Sequence, residues 1–464
     1  MSSFAKPVLE ASYIVFKQTI NAIDYYFAQN GKTGAIDYGG QNNAGGVDGT
    51  NASVVIQSAI NALSSGGKVF IKEGTYLLST PIVIEKSDIT LVGESWATIL
   101  KVADGANCDA IVVGKYGYPF PTYYRNTIAN LGIDGNKANQ AAAATLHGIV
   151  VYRNDYTVVE NCYIHDVDGT GIRFYATNRC IMRGNLVKDT TKYCYILENN
   201  AEYNVIEGNR GFTSTNWENM LLYGTDTGGV KYNTVVGNIL DGAGYDTLTL
   251  ANNSDFNTII GNIIRNGSLR GIYLHLTSDG NVISNNIVEN NNQHGIRLAG
   301  CSNNIITNNV ILNNGQVAAN LYDGINLVDE NTNYCLNNII SNNRIYDNQA
   351  TKTQRYGINE EGNSNYNKIV DNDVTGNLKT IAIVGANTKV QFNLGYVTEN
   401  SGTISLVSGR TITTDLDITP NVVKLEAIGK VPVKYSHELS GVDIVAYHDQ
   451  APSTIDTRWY AGVV

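Results

Sequence analysis

The sequence predicts an all-β fold, a parallel β-helix in which short strands recur once per coil and stack in register, and three observations carry this. A motif repeats, its strands alternate in steps of two, and asparagine closes each unit. The repeat is plain in "TGIRFYATNRCIMRGN" (170–185), "DTLTLANNSDFNTIIGN" (246–262), "RGIYLHLTSDGNVISNN" (270–286) and "HGIRLAGCSNNIITNN" (294–309), and again in the longer units 323–343 and 356–372. The closing residues Asn161, Asn185, Asn209, Asn238, Asn262, Asn286, Asn309, Asn343 and Asn372 follow one another mostly at 23 or 24 residues, with steps of 29 and 34 where insertions lengthen a unit. Within units, runs of Ile, Val, Leu and Tyr alternate with polar residues between Asn, Gly, Asp and Ser, which is strand and turn chemistry. Helical periodicity is missing there. A leucine-rich solenoid would need a helical segment and leucine-dominated strands, and the units have neither.

Strands that recur once per unit must run parallel, about 4.8 Å apart. The asparagines then have a structural task, since stacked amides form a hydrogen-bonded ladder and Asn tolerates the left-handed backbone of a tight corner.

The ends differ from the middle. In "DGTNASVVIQSAINALSSGG" (48–67), Ile56, Ala59, Ile60 and Leu63 recur at helical spacing, so a helix is expected over about 53–63, with Asn51 or Ser53 as its cap and Gly66 as its stop. It would plug the open end of the stack. The coils are expected to fill 48–400 after an N-terminal extension, 1–47, and the Asn-rich pattern gives way after about 400 to "TISLVSGRTITTDLDI" through "RWYAGVV", read as a C-terminal β-domain or cap over 401–464.

Composition excludes some functions. A net charge of −10 lacks the basic face that nucleic acid or an anionic membrane requires. No apolar run reaches the ~18 residues of a membrane span, and the first residues lack the basic-then-apolar order of a signal peptide. Six cysteines in 464 residues form no disulfide framework. Cys301 and Cys335 share one register in "CSNNII" and "CLNNII" and are expected to stack as reduced thiols in the core.

In Gly-Ile-x-Leu the second and fourth residues face the core, so the residue before Gly, the x residue and the one two beyond it form three outward columns. The leading column reads His147, Thr170, Tyr193, Glu218, Asp246, Arg270, His294, Asp323, Tyr356. The middle column contains Arg173, Tyr273 and Arg297, and the trailing column Tyr175, Glu198, Tyr223 and His275. A solvated face would carry Thr, Ser, Lys and Asn, whereas this centre is crowded with titratable and aromatic side chains. Glu218 and Asp246, one rung apart, suit a pair in which one carboxyl is driven protonated and serves as general acid for glycoside cleavage. Arg270 and His294 complete the catalytic candidates, because β-elimination on a uronate would need a cation and a base. Tyr223, Tyr273, His275, Arg297, Arg173, Asp323 and Glu198 are the candidate substrate contacts.

The helix, then "GGKVFIKEGTYLL", "ITLVGESWATIL" and "NLGIDGN", then Asn-closed coils, resembles the pectate-lyase superfamily of right-handed parallel β-helices over roughly residues 35–400. That superfamily includes polysaccharide lyases, polygalacturonase-like hydrolases, mannuronan epimerases and phage tailspikes. The resemblance implies a single-stranded right-handed parallel β-helix, secreted or cell-surface, with a polysaccharide substrate. Only "QHGIRL" and "YDGINL" echo the polygalacturonase signature, and the epimerase Asp-Pro-His is absent. Because the Glu218 and Asp246 pair is more definite than any uronate-binding Lys/Arg cluster, the expectation is a glycoside hydrolase, with a uronate lyase and a non-catalytic glycan-binding spike as alternatives. The spike would use the C-terminal β-domain as a trimerisation or attachment piece. No cofactor is expected, and the acidic groups would admit Ca²⁺ although its nonapeptide repeat is missing.

Overall fold

The computed structural model describes residues 11–117, 122–141, 146–225 and 228–406, and within the tail 410–412, 416–417, 420, 422–427, 435–441, 443–448 and 455–462. Residues 1–10 and 463–464 of the expected end pieces lie outside the described residues. The chain winds through coils of three short strands each, and like strands pair in parallel from coil to coil. Three sheets result, of 16, 11 and 12 strands, the first extended by the N-terminal strands. In the third sheet Ile149–Tyr152, Ile172–Tyr175, Tyr195–Glu198, Met220–Tyr223, Leu248–Ala251, Ile272–His275, Ile296–Ala299 and Ile325–Val328 follow one another. Their inward aliphatics, such as Ile172, Leu222, Leu250 and Leu298, are fully buried.

Asparagines close the corner between the first and second sheets. The Asn262 amide donates through Nδ2 to Asn286 Oδ1 (2.9 Å) and to the Val235 carbonyl (3.0 Å), and its backbone N–H donates to the same Asn286 oxygen (2.9 Å). The same side-chain bond recurs from Asn185 to Asn393, so each buried amide satisfies backbone groups of its neighbours. Asn161 is not in this ladder. Cys162 holds the place beneath Asn185, donating its N–H to Asn185 Oδ1 (3.0 Å), and Asn161 occupies the left-handed turn one residue earlier (φ 49°). A second ladder, Asn204 through Asn233, Asn257 and Asn281 to Asn304, closes the corner before the first sheet.

The helix spans Ala52–Asn61, capped by the Asn51 side chain, which accepts from the Val54 N–H. It buries Val55, Ile56, Ala59 and Ile60 against the first coil. Residues 13–39 also belong to this end: Tyr13–Ile20 pairs antiparallel with Ile23–Asn30 and parallel with the first coil strand, adding to the first sheet. No repeat announces these strands. Beyond the last coil strand, Lys389–Gln391, six strands form two antiparallel three-stranded sheets around Ile412, Ile444, Ala446 and Ala461. Cys301 and Cys335 are buried free thiols. Among the described residues, no helix is long and apolar enough to cross a membrane.

Candidate functional site

The outward face of the third sheet holds a cavity of about 590 Å³. It opens where the outward residues are short: Thr249 and Ala251 lie on one coil between Leu221 and Tyr223 on the coil before and Tyr273 and His275 on the coil after. Ile196, Leu221 and Ala251 pack together on the outside of the sheet with Tyr193, forming an apolar floor. Tyr193, Trp217 and Tyr245 form an aromatic wall, with ring centroids 5.9 and 6.4 Å apart.

Glu218 sits beneath that wall, 5% exposed. Its Oε1 accepts one long hydrogen bond, from Thr249 Oγ1 (3.4 Å), and its buried Oε2 has no partner. Burial, assisted by the neighbouring Asp246 charge, pushes its carboxyl up to about 7. Among the described lining residues it is the one carboxyl with a buried oxygen that has no partner. Asp246, expected to share a proton with it, is fully buried and closed instead by Arg270: Nε donates to Oδ1 (2.7 Å), Nη2 to Oδ2 (2.9 Å), and the Arg270 backbone N–H also to Oδ1 (2.9 Å). The leading column set an acid on one side of Asp246 and a base on the other, and opposite charges on adjacent rungs pair. The Arg270 guanidinium in turn lies 3.9 Å from the Tyr273 ring centroid.

At the trailing edge His275 stacks on Tyr273 (4.4 Å, 7° between planes), and Glu330 Oε1 lies 3.6 Å from its Nδ1. Burial pulls the imidazole below its ordinary value, leaving it neutral at pH 7, and burial pushes the Tyr273 phenol up to about 12. Glu330 is anchored by accepting the Leu276 N–H (2.7 Å).

The cavity thus gathers Glu198, Glu218, Tyr223, Asp246, Arg270, Tyr273 and His275. His294, Arg297, Arg173 and Asp323 are not among its lining. His294 is 6% exposed; its Nδ1 accepts the Asp323 N–H (3.0 Å), and its ring meets Tyr322 at a near right angle. Asp323 is closed by Arg355 (2.8 and 2.8 Å), and Arg173 joins Glu198 with His147 Nε2 3.2 Å away. Arg297 lies with its guanidinium carbon 6.0 Å from the Tyr273 ring centroid.

Trp217, Tyr245 and Glu330 escaped the column reading. The first two stand one residue before the leading column, so a fourth column would have found them. Glu330 lies on an irregular turn that bridges to Asn333, inside an insertion with no period. The residues with converging metal-ligand atoms among those described are Asp134, His165 and Asp166, on and beside the second sheet. Asp134 already bonds Lys101 (2.8 Å), and His165 bonds Asp166 (2.8 Å).

The family described as right handed beta helix region matches residues 107–238 and 222–397, and one described as rhamnogalacturonase A/epimerase, pectate lyase-like, matches 37–170. The chain belongs to the right-handed parallel β-helix proteins of the pectate-lyase type. Among solved structures, it is similar to the A-module of a mannuronan C-5 epimerase from Azotobacter vinelandii (TM-score 0.64, 20% identity, 74% of this chain and 96% of that one). It is also similar to the tailspike of Pseudomonas phage phi297 (0.59, 13%, 89% and 92%) and to a DFA-IIIase from Arthrobacter chlorophenolicus A6 (0.59, 14%, 74% and 94%). At these identities the likeness is one of fold. No curated protein matches the sequence.

Proposed function

We propose that the protein is an extracytoplasmic glycoside hydrolase that cleaves a polysaccharide bound along the third sheet, with Glu218 as proton donor. The observation that carries this reading is a buried carboxyl raised to about 7, with one oxygen unpartnered, in a cavity walled by aromatic rings. Such a group is protonated at or just below neutral pH and can protonate a glycosidic oxygen as the C–O bond breaks. Water then adds to the anomeric carbon. Its proton goes to His275, a neutral imidazole steadied by stacking on Tyr273 and by the Glu330 carboxylate. Asp246 is a positioning residue here: it fixes Arg270 and biases Glu218 toward the protonated form.

Elimination on a uronate is less well supported. It needs a cation on the substrate carboxylate, and Arg270 is engaged by Asp246 while Arg297 stands outside the cavity lining; a tyrosine base would need a lowered phenol, and Tyr273 is raised. The second reading, a glycan-binding spike that trimerises through its C-terminal β-domain, is favoured by one observation. The tailspike likeness covers 89% of the chain, more than the coils alone. Incubation with neutral and uronic polysaccharides, reading reducing ends together with unsaturated-uronate absorbance, tests all three. Reducing ends without absorbance are expected; absorbance would replace hydrolysis by elimination, and tight binding without product by the spike.

A further inference from the structure

We infer that the cavity takes a chain of uncharged sugars and turns uronic acid chains away; this rests on the glycan reading above. Four carboxyl groups, Glu198, Glu218, Asp246 and Glu330, line the cavity against a single basic side chain among the described lining residues, Arg270. That guanidinium spends Nε and Nη2 on Asp246 and covers the Tyr273 ring with its face. The cation that answers Glu198 is Arg173, outside the lining. His275, facing Glu330, is neutral at pH 7. A sugar carboxylate entering here meets the Glu330 carboxylate, which no arginine or lysine among the described residues pairs, while Arg270 is held by Asp246 and Arg297, 6.0 Å from the Tyr273 ring with its Nε unpartnered, stands outside the lining.

The same surface suits an uncharged sugar. Leu221 and Ala251 give the cavity an apolar floor, and Trp217 and Tyr245, 45% and 41% exposed, present rings to the C–H faces of a pyranose or furanose. The unpartnered Oε2 of Glu218, on a side chain more than nine-tenths buried, supplies a polar atom with no ligand inside the protein. Ring hydroxyls can donate hydrogen bonds to the carboxylates of Glu198 and Glu330 in the lining, which a uronate carboxylate cannot do.

A metal ion bridging acid to acid would reverse this preference, and the cavity is not arranged for one. Both Asp246 oxygens face Arg270, Glu198 faces Arg173, and Glu330 Oε2 accepts a backbone N–H. The described group whose ligand atoms do converge, Asp134 with His165 and Asp166, belongs to the second sheet.

The test is binding of matched chains to the 464-residue chain and to Glu218→Gln, which keeps the shape of the side chain while removing its proton donor. Polygalacturonate and alginate oligomers would be compared calorimetrically with their carboxyl-reduced forms, alongside a broad panel of uncharged glucans, mannans, galactans and fructans. At least tenfold tighter binding of the uncharged member of a pair is expected. The gap should narrow in high salt and in Glu330→Gln. Equal or tighter binding of the uronate forms, with or without added Ca²⁺, overturns the inference, and so does failure of every uncharged chain to bind. Loss of the hydrolase reading alone looks different: uncharged chains bind to the wild-type protein and no reducing ends appear.

Discussion

Asp246 and Asp323 stand in the same column of the third sheet, three coils apart, and their surroundings lead to opposite outcomes. Each is fully buried, and each is gripped by an arginine through two hydrogen bonds, Asp246 by Arg270 and Asp323 by Arg355. Around Asp323 the middle column supplies amides. Asn326 and Asn359 reach its Oδ2 at 3.3 and 3.0 Å, and Asn359 also bonds Glu361 at 2.6 Å, so polar groups fill the face. Around Asp246 the same columns supply Leu221, Thr249 and Ala251, and Glu218 is left with one long hydrogen bond and open space above it. The acid that can work is the one its neighbours fail to solvate.

The largest expected effect separates the two regions by activity. Glu218→Gln should lower turnover by about 10²–10⁴-fold, the usual contribution of a general acid, with little change in the fold. Asp323→Asn, outside the cavity, should keep turnover within about threefold of wild type once the protein is shown to be folded. Equal losses in both variants, measured as initial rates of reducing-end release, would remove the distinction between the two acids.

Stability should separate the two arginine-bound acids. Asp246→Asn strands Arg270, whose side chain is only 10% exposed, and breaking a buried pair in this way costs about 3–5 kcal/mol. Asp323→Asn should cost less, about 1–2 kcal/mol, because Arg355 is 22% exposed and keeps Glu361 at 3.2 Å. Denaturant midpoints compare the two, and a smaller cost at Asp246 than at Asp323 would contradict this account of the pairs. Replacing Asp246 and Arg270 together by Leu and Met should recover most of the loss, since no unpaired charge remains.

Protonation gives the next test. The Glu218 carboxyl holds its proton more tightly in the folded chain than in the unfolded one, so its sign is opposite to that of a salt-bridged carboxylate. Below the ordinary glutamate value of about 4.3, both states are protonated and nothing is lost. As pH rises from there to about 7, the unfolded state ionises first and stability falls, on the order of 3 kcal/mol in all; above about 7 the penalty is constant. Thermal melts of Glu218→Gln should therefore match wild type near pH 4 and exceed it near pH 8. Activity should decline as pH rises through about 7, where the acid ionises, and also on the acidic side, where His275 takes up a proton. A variant advantage that grew toward low pH would reverse the assignment.

Much of this site was legible in the sequence because a solenoid converts spacing into position. Two-residue alternation around Gly-Ile-x-Leu gives the outward columns directly, and the strand register sets Glu218 beside Asp246 and Asp246 beside Arg270. Which neighbour Asp246 would choose was not written in the column; charge decides it, and arginine's two-pronged donor prevails over a second acid. Asn161 misleads by one residue because Asn serves both as ladder amide and as left-handed turn residue, the two places being adjacent in each unit. Residues outside the period were the least visible. Glu330 is positioned by an insertion, and the N-terminal strands join the first sheet through pairing partners that no repeat identifies.

The smallest expected effect concerns the Thr249 hydroxyl that donates to Glu218. Thr249 Oγ1 donates to Oε1 at 3.4 Å, a weak bond that favours the ionised carboxyl and so holds its value down slightly. Thr249→Val keeps the volume and removes the donor. Stability should change by less than about 1 kcal/mol, and the pH at which activity declines should move upward by about half a unit, because the acid stays protonated longer. The comparison with Asp323 sharpens here: one amide there carries two short bonds to carboxylates, so Asn359→Leu should cost about 2 kcal/mol. An unmoved alkaline limb in Thr249→Val would show that the hydroxyl does not donate to Glu218, and a downward movement that it accepts from the protonated carboxyl instead.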